Sequence, residues 1–209
     1  MGNLNNKKKR KYKCKCHCRD EIIIKKRIEK ERKEEYKITF VGENGVGTKT
    51  TLINRIMGLE FNESLDSSLE CKYFAKRVDV GNNKEVTLNL LDTIGQEKYR
   101  QLTKIFLNNS DCIVLGYEVI NKHTFEEIKN YWYQTIKDYL GCNLIYLVGN
   151  KIDLYERREV SKEEANEYAK SVNLRFFEIS CKTKEGLNEF YNDLVNQILE
   201  LYLAQFNNL

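Results

Sequence analysis

Proline is absent from all 209 residues, histidine and methionine occur twice each, and tryptophan once. The missing proline excludes proline-rich linkers and polyproline recognition segments. No stretch of 18 apolar residues occurs, which excludes a helix that spans a membrane, and no secretory apolar segment follows the N-terminus. Against those absences the seven cysteines point to reduced thiols in a cytosolic setting, with Cys71, Cys112, Cys142 and Cys181 expected in the core or in loops. There is no internal repeat.

What is present is a long alternation of strand-like and helix-like segments. Strands are predicted over 36 to 41, 71 to 80, 86 to 91, 112 to 118, 143 to 149 and 174 to 179. Helices are predicted over 49 to 58, 97 to 107, 122 to 139, 161 to 171 and 185 to 203. Such alternation implies an α/β fold, a mostly parallel six-stranded sheet with helices on both faces. Ligands of such sheets bind beyond the carboxyl ends of the strands. The run Tyr131-Trp132-Tyr133 is expected to serve packing or surface.

Four motifs fall at those strand ends. Asn150-Lys151-Ile152-Asp153 closes the apolar run from Asn143 to Val148. A carboxylate there can accept both the N1 proton and the 2-amino group of guanine, a bidentate pair that adenine cannot make. Alone it would read as a polar turn. After the strand Tyr36 to Val41 comes Gly42-Glu43-Asn44-Gly45-Val46-Gly47-Thr48-Lys49-Thr50-Thr51-Leu52, which resembles a P-loop. Glycines let backbone N–H groups turn around phosphate oxygens, Lys49 supplies charge, and Thr50 supplies a hydroxyl for Mg²⁺. Thr48 breaks the usual spacing: either one residue is inserted, or the register slides and Thr48 replaces the glycine before the lysine. Asp92-Thr93-Ile94-Gly95-Gln96-Glu97 follows the strand Val86 to Leu91, with a carboxylate suited to a Mg²⁺ water. Ser180-Cys181-Lys182 follows the strand Arg175 to Ile179, where loop N–H groups can meet a guanine carbonyl.

With these motifs in this order, residues 36 to 203 resemble the P-loop small GTPase domain of the Ras superfamily, most closely the Rab branch. The resemblance implies a GTP/GDP switch that requires Mg²⁺ and hydrolyses GTP slowly until a GTPase-activating protein assists. An exchange factor and effectors are implied as further partners. The phosphate-loop residues Asn44, Gly45, Val46, Gly47, Thr48, Lys49, Thr50 and Thr51 would surround the nucleotide, with Lys49 on the β- and γ-phosphates. Thr50, Ser68 and Asp92 would serve the metal, Gly95 would sense the γ-phosphate, and Gln96 would orient the attacking water. Phe61 would pack on the guanine face, Asn150, Lys151 and Asp153 would clasp the base, and Ser180, Cys181 and Lys182 would complete its pocket. The spacings from Lys49 to Phe61 and to Ser68 match the family, which favours Lys49 as the functional lysine.

Several positions depart from the family. Ser68 stands for threonine and loses a methyl that would stiffen switch I. Ile94 stands where a small residue is usual and would crowd Gln96 or the water. Leu91 replaces the usual Rab tryptophan, and Asn44 is expected to slow intrinsic turnover. These motivate an alternative, a hydrolysis-impaired pseudo-GTPase acting as a membrane-tethered interaction module.

Charge is uneven. The chain carries 35 Lys and Arg against 31 Asp and Glu, yet residues 1 to 19 hold eight of the basic residues and no acid, leaving 27 against 31 in the remainder. Gly2 opens a sequence like a myristoylation site, although Asn6 stands where Ser or Thr is wanted. A basic cluster and Cys14, Cys16 and Cys18 follow, so fatty chain, cations and thioesters are expected to hold the tail on an anionic membrane at its cytoplasmic face. Zinc at Cys14, Cys16, His17 and Cys18, nucleic-acid contact and plain disorder are the readings set against this one. The final Phe206-Asn207-Asn208-Leu209 lacks the prenylated cysteine usual in Rab and Ras proteins, so the anchor is expected at the other end. Residues 1–35 are thus read as a tail and charged helical linker, 36–203 as the GTPase domain and 204–209 as a short C-terminal tail.

Overall fold

Strand β1 (Glu35–Val41) buries Tyr36, Ile38 and Phe40 on one face of the sheet and Thr39 and Val41 on the other, so its period-two pattern places it in the interior. The computed structural model describes residues 33–43, 48–62, 71–81, 84–94, 100–137 and 144–207. After β1 come helix α1 (Thr48–Ile56), strands β2 (Lys72–Gly81) and β3 (Lys84–Asp92), helix α2 (Arg100–Leu107) and strand β4 (Cys112–Glu118). Helix α3 (Lys122–Glu127) passes through a π-helical turn (Ile128–Trp132) into helix α4 (Tyr133–Lys137). Strand β5 (Leu144–Asn150), helix α5 (Lys162–Ser171), strand β6 (Arg175–Glu178) and helix α6 (Leu187–Asn207) complete the order.

The strands lie in the order β2-β3-β1-β4-β5-β6. All neighbours are parallel except β2, which pairs antiparallel with β3 at the edge. This is the mostly parallel six-stranded α/β architecture expected from the alternation of elements. Edge strand β2 alternates half-buried and exposed residues, as a sheet with one wet face requires, whereas central β4 is buried throughout.

Two cores lie on opposite faces. Leu52, Ile53 and Ile56 of α1 join Phe190, Leu194 and Ile198 of α6 against Ile38, Phe40, Leu88, Leu90, Val114 and Tyr146. On the other face Leu107, Phe125, Ile128, Trp132, Ala165 and Ala169 cover Val41, Ile113, Leu115 and Leu147. Register brings the strand ends into one row: Phe40 pairs with Asp92 across β1 and β3, and Glu118 with Asn150 across β4 and β5.

Two elements differ from expectation. The helix predicted over 122 to 139 contains the π-helical turn over Ile128–Trp132, where the backbone hydrogen bonds span one residue more than in an α-helix. The last helix starts at Leu187 and runs to Asn207. Its end continues to pack: Tyr202 is buried, Tyr202 and Phe206 stack edge to face at 5.2 Å, and Gln205 Nε2 donates to Tyr36 Oη at 2.7 Å.

Candidate functional site

The phosphate side is built from the ends of β1 and β3 and the start of α1. Gly42 follows β1 with φ near +155°, and a Cβ there would stand 2.3 Å from the carbonyl oxygen of Gly116, so only glycine fits. Thr48 is the first residue of α1 and is buried. Its methyl lies 3.0 Å from where a Cβ on Gly116 would stand, so it occupies space that β4 leaves by having no side chain there. The ammonium of Lys49 turns back and donates to the carbonyls of Gly42 at 2.8 Å and Glu43 at 3.0 Å. Burial pulls its pKa down to about 8, with Asp92 and Glu43 acting in the opposite direction.

Thr50, one residue on, donates from Oγ1 to Asp92 Oδ2 at 2.6 Å. Asp92 is fully buried, and its Oδ1 accepts no hydrogen bond among the described residues. Burial raises its pKa, offset in part by the Thr50 hydrogen bond and by the charges of Lys49 and Lys72. A buried carboxylate oxygen lacking a donor is costly unless something supplies positive charge. With the Thr50 hydroxyl beside it, the donor set is hard oxygen, which suits Mg²⁺ and a water it carries. The buried ammonium of Lys49, hydrogen-bonded to two carbonyls at the mouth of a helix, suits a phosphate. These residues therefore fit a magnesium-bound nucleotide. Thr51, also expected here, is buried in α1.

The base side lies at the ends of β5 and β6, beyond β4 from β1. Asn150 Oδ1 accepts from the backbone N–H of Lys151 at 2.8 Å and of Cys181 at 3.1 Å, and so ties two loops together. Lys151 has φ near +70°, a left-handed conformation uncommon outside glycine, and its ammonium pairs with the buried Glu118. Burial raises the pKa of Glu118, with Lys151 opposing. Ser180 Oγ donates to Asp153 Oδ1 at 2.6 Å and accepts from Thr183 N–H at 3.0 Å, which sets the carboxylate's orientation. Cys181 is buried and its thiol is pushed up to about 12, chiefly by burial, so it is neutral packing. Phe61 is half-buried against the core beneath α1.

Of the expected site residues, the structure brings Thr48, Lys49, Thr50, Thr51 and Asp92 into one cluster and Asn150, Lys151, Asp153, Ser180, Cys181 and Lys182 into another. Asn44, Gly45, Val46, Gly47, Ser68, Gly95 and Gln96 lie outside the described residues, as do Gly2, Cys14, Cys16 and Cys18. Three contributors carry no motif. Glu43 is buried and accepts from the indole Nε1 of Trp132 at 3.3 Å. Glu118 holds Lys151. Arg55 donates to the carbonyls of Cys181 and Lys182. The aromatic run at 131 to 133 does pack, as expected, but Trp132 also steadies the start of the phosphate loop.

Comparison with known proteins agrees with this geometry. Residues 37–200 match the model of the Ras family. The Ras-related protein Rab-21 of Mus musculus is 34% identical over 166 residues, covering 79% of this chain and 73% of that protein. The Rab-21 of Geodia cydonium is 35% identical over 165 residues, 78% and 71% of the two chains. The Ras-related protein Rab-13 of Bos taurus is 33% identical over 165 residues, 78% and 80%.

Proposed function

Because the chain belongs to the Ras family as a Rab-like small GTPase, binding GTP and GDP with Mg²⁺ and hydrolysing GTP, we propose that it is a nucleotide-dependent switch at the cytoplasmic face of a membrane. Vesicle traffic or signalling is the process it serves. The observation that carries this reading is the cluster of Lys49, Thr50 and Asp92, a buried cation beside a hydroxyl and a carboxylate oxygen that has no donor among the described residues.

In this reading Lys49 would leave the Gly42 and Glu43 carbonyls for the β- and γ-phosphates, Thr50 and Ser68 would hold the metal, and Asp92 would hold it through a water. Bound Mg²⁺ supplies neutralisation of phosphate charge. Gly95 senses the γ-phosphate and Gln96 orients the attacking water. Asp153, fixed by Ser180, reads the guanine edge, Asn150 and Lys151 shape the pocket, Phe61 covers one face, and the loop of Cys181 and Lys182 faces the base carbonyl. An exchange factor, a GTPase-activating protein and effectors act on the 36–203 domain, and residues 1–35 tether it through acylation at Gly2, Cys14, Cys16 and Cys18.

A hydrolysis-impaired interaction module is the competing reading, motivated by Thr48, Ser68 and Ile94. The position of Thr48 favours the working enzyme, since its side chain is taken up against Gly116 while Lys49 points to the phosphate side. Metal removal tests the reading. Chelation should accelerate nucleotide release from the wild type, and Thr50→Ala should release as fast with Mg²⁺ as without it. Undiminished dependence on Mg²⁺ in Thr50→Ala would remove Thr50 from the metal site.

A further inference from the structure

Arg55 stands near the end of α1, six residues after Lys49, and its guanidinium is spent on backbone. Nε donates to the carbonyl of Cys181 at 2.6 Å and one terminal nitrogen donates to the carbonyl of Lys182 at 3.1 Å. The other terminal nitrogen donates to the carbonyl of Leu59 at 3.2 Å, and the guanidinium carbon lies 5.9 Å from the centre of the Phe61 ring. One planar fork therefore reaches the loop after β6, the chain leaving α1 and the aromatic ring after it. A lysine has neither the donors nor the plane for this.

The bonds also orient the loop. Each carbonyl that Arg55 holds belongs to a planar trans peptide whose N–H points the opposite way. The N–H groups of Lys182 and Thr183 are thus turned away from Arg55, and that of Thr183 goes to Ser180 Oγ, the same oxygen that fixes Asp153. From the other side, Asn150 Oδ1 holds the N–H of Cys181. The loop is clamped between α1, which carries the phosphate-side lysine in its first turn, and the strand end that carries the base-reading motif.

We propose that Arg55 is a positioning residue for the guanine pocket: it locks the Cys181–Lys182 loop and Phe61 to the helix that carries Lys49 and Thr50, and so limits the rate of nucleotide release. The proposal rests on the reading of this pocket as the guanine site.

The test uses the full chain with fluorescent GDP, chased by excess unlabelled GDP at fixed Mg²⁺. Losing charge-assisted hydrogen bonds to two loop carbonyls should make Arg55→Met release GDP about tenfold faster. Arg55→Lys, which keeps the charge and can reach one carbonyl, should fall between Arg55→Met and wild type. Single-turnover hydrolysis of GTP already bound should change by less than about twofold, so that the effect falls on affinity and not on chemistry. Arg55→Met should weaken GDP and IDP by the same factor, because Asp153 still reads the 2-amino group, whereas Asp153→Asn should erase the preference for GDP over IDP. Wild-type release from Arg55→Met, with the preference lost in Asp153→Asn, would overturn the proposal and leave the pocket standing. Equal loss of retention and hydrolysis in Arg55→Met would reduce Arg55 to general stability and overturn it as well. A GDP preference that survives Asp153→Asn would overturn the pocket reading and the proposal together.

Discussion

Thr48 and Gly116 show how a phosphate loop with threonine before its lysine can still deliver that lysine. The side chain of Thr48 needs room at the start of α1, and β4 supplies it by having only hydrogen at position 116. Gly116→Val would drive branched carbons into that methyl, an overpacking that costs about 1–3 kcal/mol. We expect a lowered melting temperature and poorer nucleotide retention in Gly116→Val, with recovery of both in Gly116→Val/Thr48→Gly. A neutral Gly116→Val would show that Thr48 is free to move. Lys49 makes a second prediction at this scale. Its pKa in the folded protein, about 8 against an ordinary 10.5, means that the unfolded chain binds more protons between those values. Stability of the nucleotide-free protein should therefore rise with pH across that window. Lys49→Met should lack this rise, and an identical pH profile in that variant would place the effect elsewhere.

At the scale of elements, the π-helical turn is the feature with most consequence. It presents Trp132 to Glu43 from the far side of the sheet, and Glu43 lies where β1 leads into the phosphate loop. Trp132→Phe removes the donor from a buried acid and should cost about 1–3 kcal/mol. Because Trp132 is the chain's one tryptophan and Lys49 is bonded to the Glu43 carbonyl, nucleotide removal should also change the intrinsic emission. Unchanged emission between loaded and empty protein would disconnect the turn from the site. None of this was legible in the sequence, since periodicity counts helical turns at 3.6 residues and cannot show where one widens. Arg55 was invisible for a different reason. Its partners are backbone carbonyls up to 127 positions away, and a carbonyl leaves no mark on residue identity. The long end of α6 was missed because its packing on Tyr36 is tertiary.

For the whole molecule, the succession of strands along the chain and the placement of the four motifs were legible because four of the strands run into loops of recognisable chemistry, whereas the side-by-side order of the strands is set by tertiary pairing. The first 19 residues hold eight basic residues and no acid, whereas the remainder holds 27 against 31, so under the proposed function the tail and not the GTPase domain would meet an anionic membrane. Acylated wild type should sediment with anionic vesicles, and Gly2→Ala should remain in the supernatant as salt is raised, since one acyl chain and a basic cluster each bind weakly alone. Equal sedimentation of the two would set myristoylation aside.

The most direct test of the account is a single turnover. Protein loaded with Mg²⁺ and GTP is sampled over time, denatured, and its nucleotide resolved. The account predicts slow conversion to GDP by the wild type and markedly slower conversion by Gln96→Leu. Bound GTP that persists unchanged, or equal rates in the two proteins, would contradict a working hydrolytic site built on Lys49, Thr50, Asp92 and Gln96.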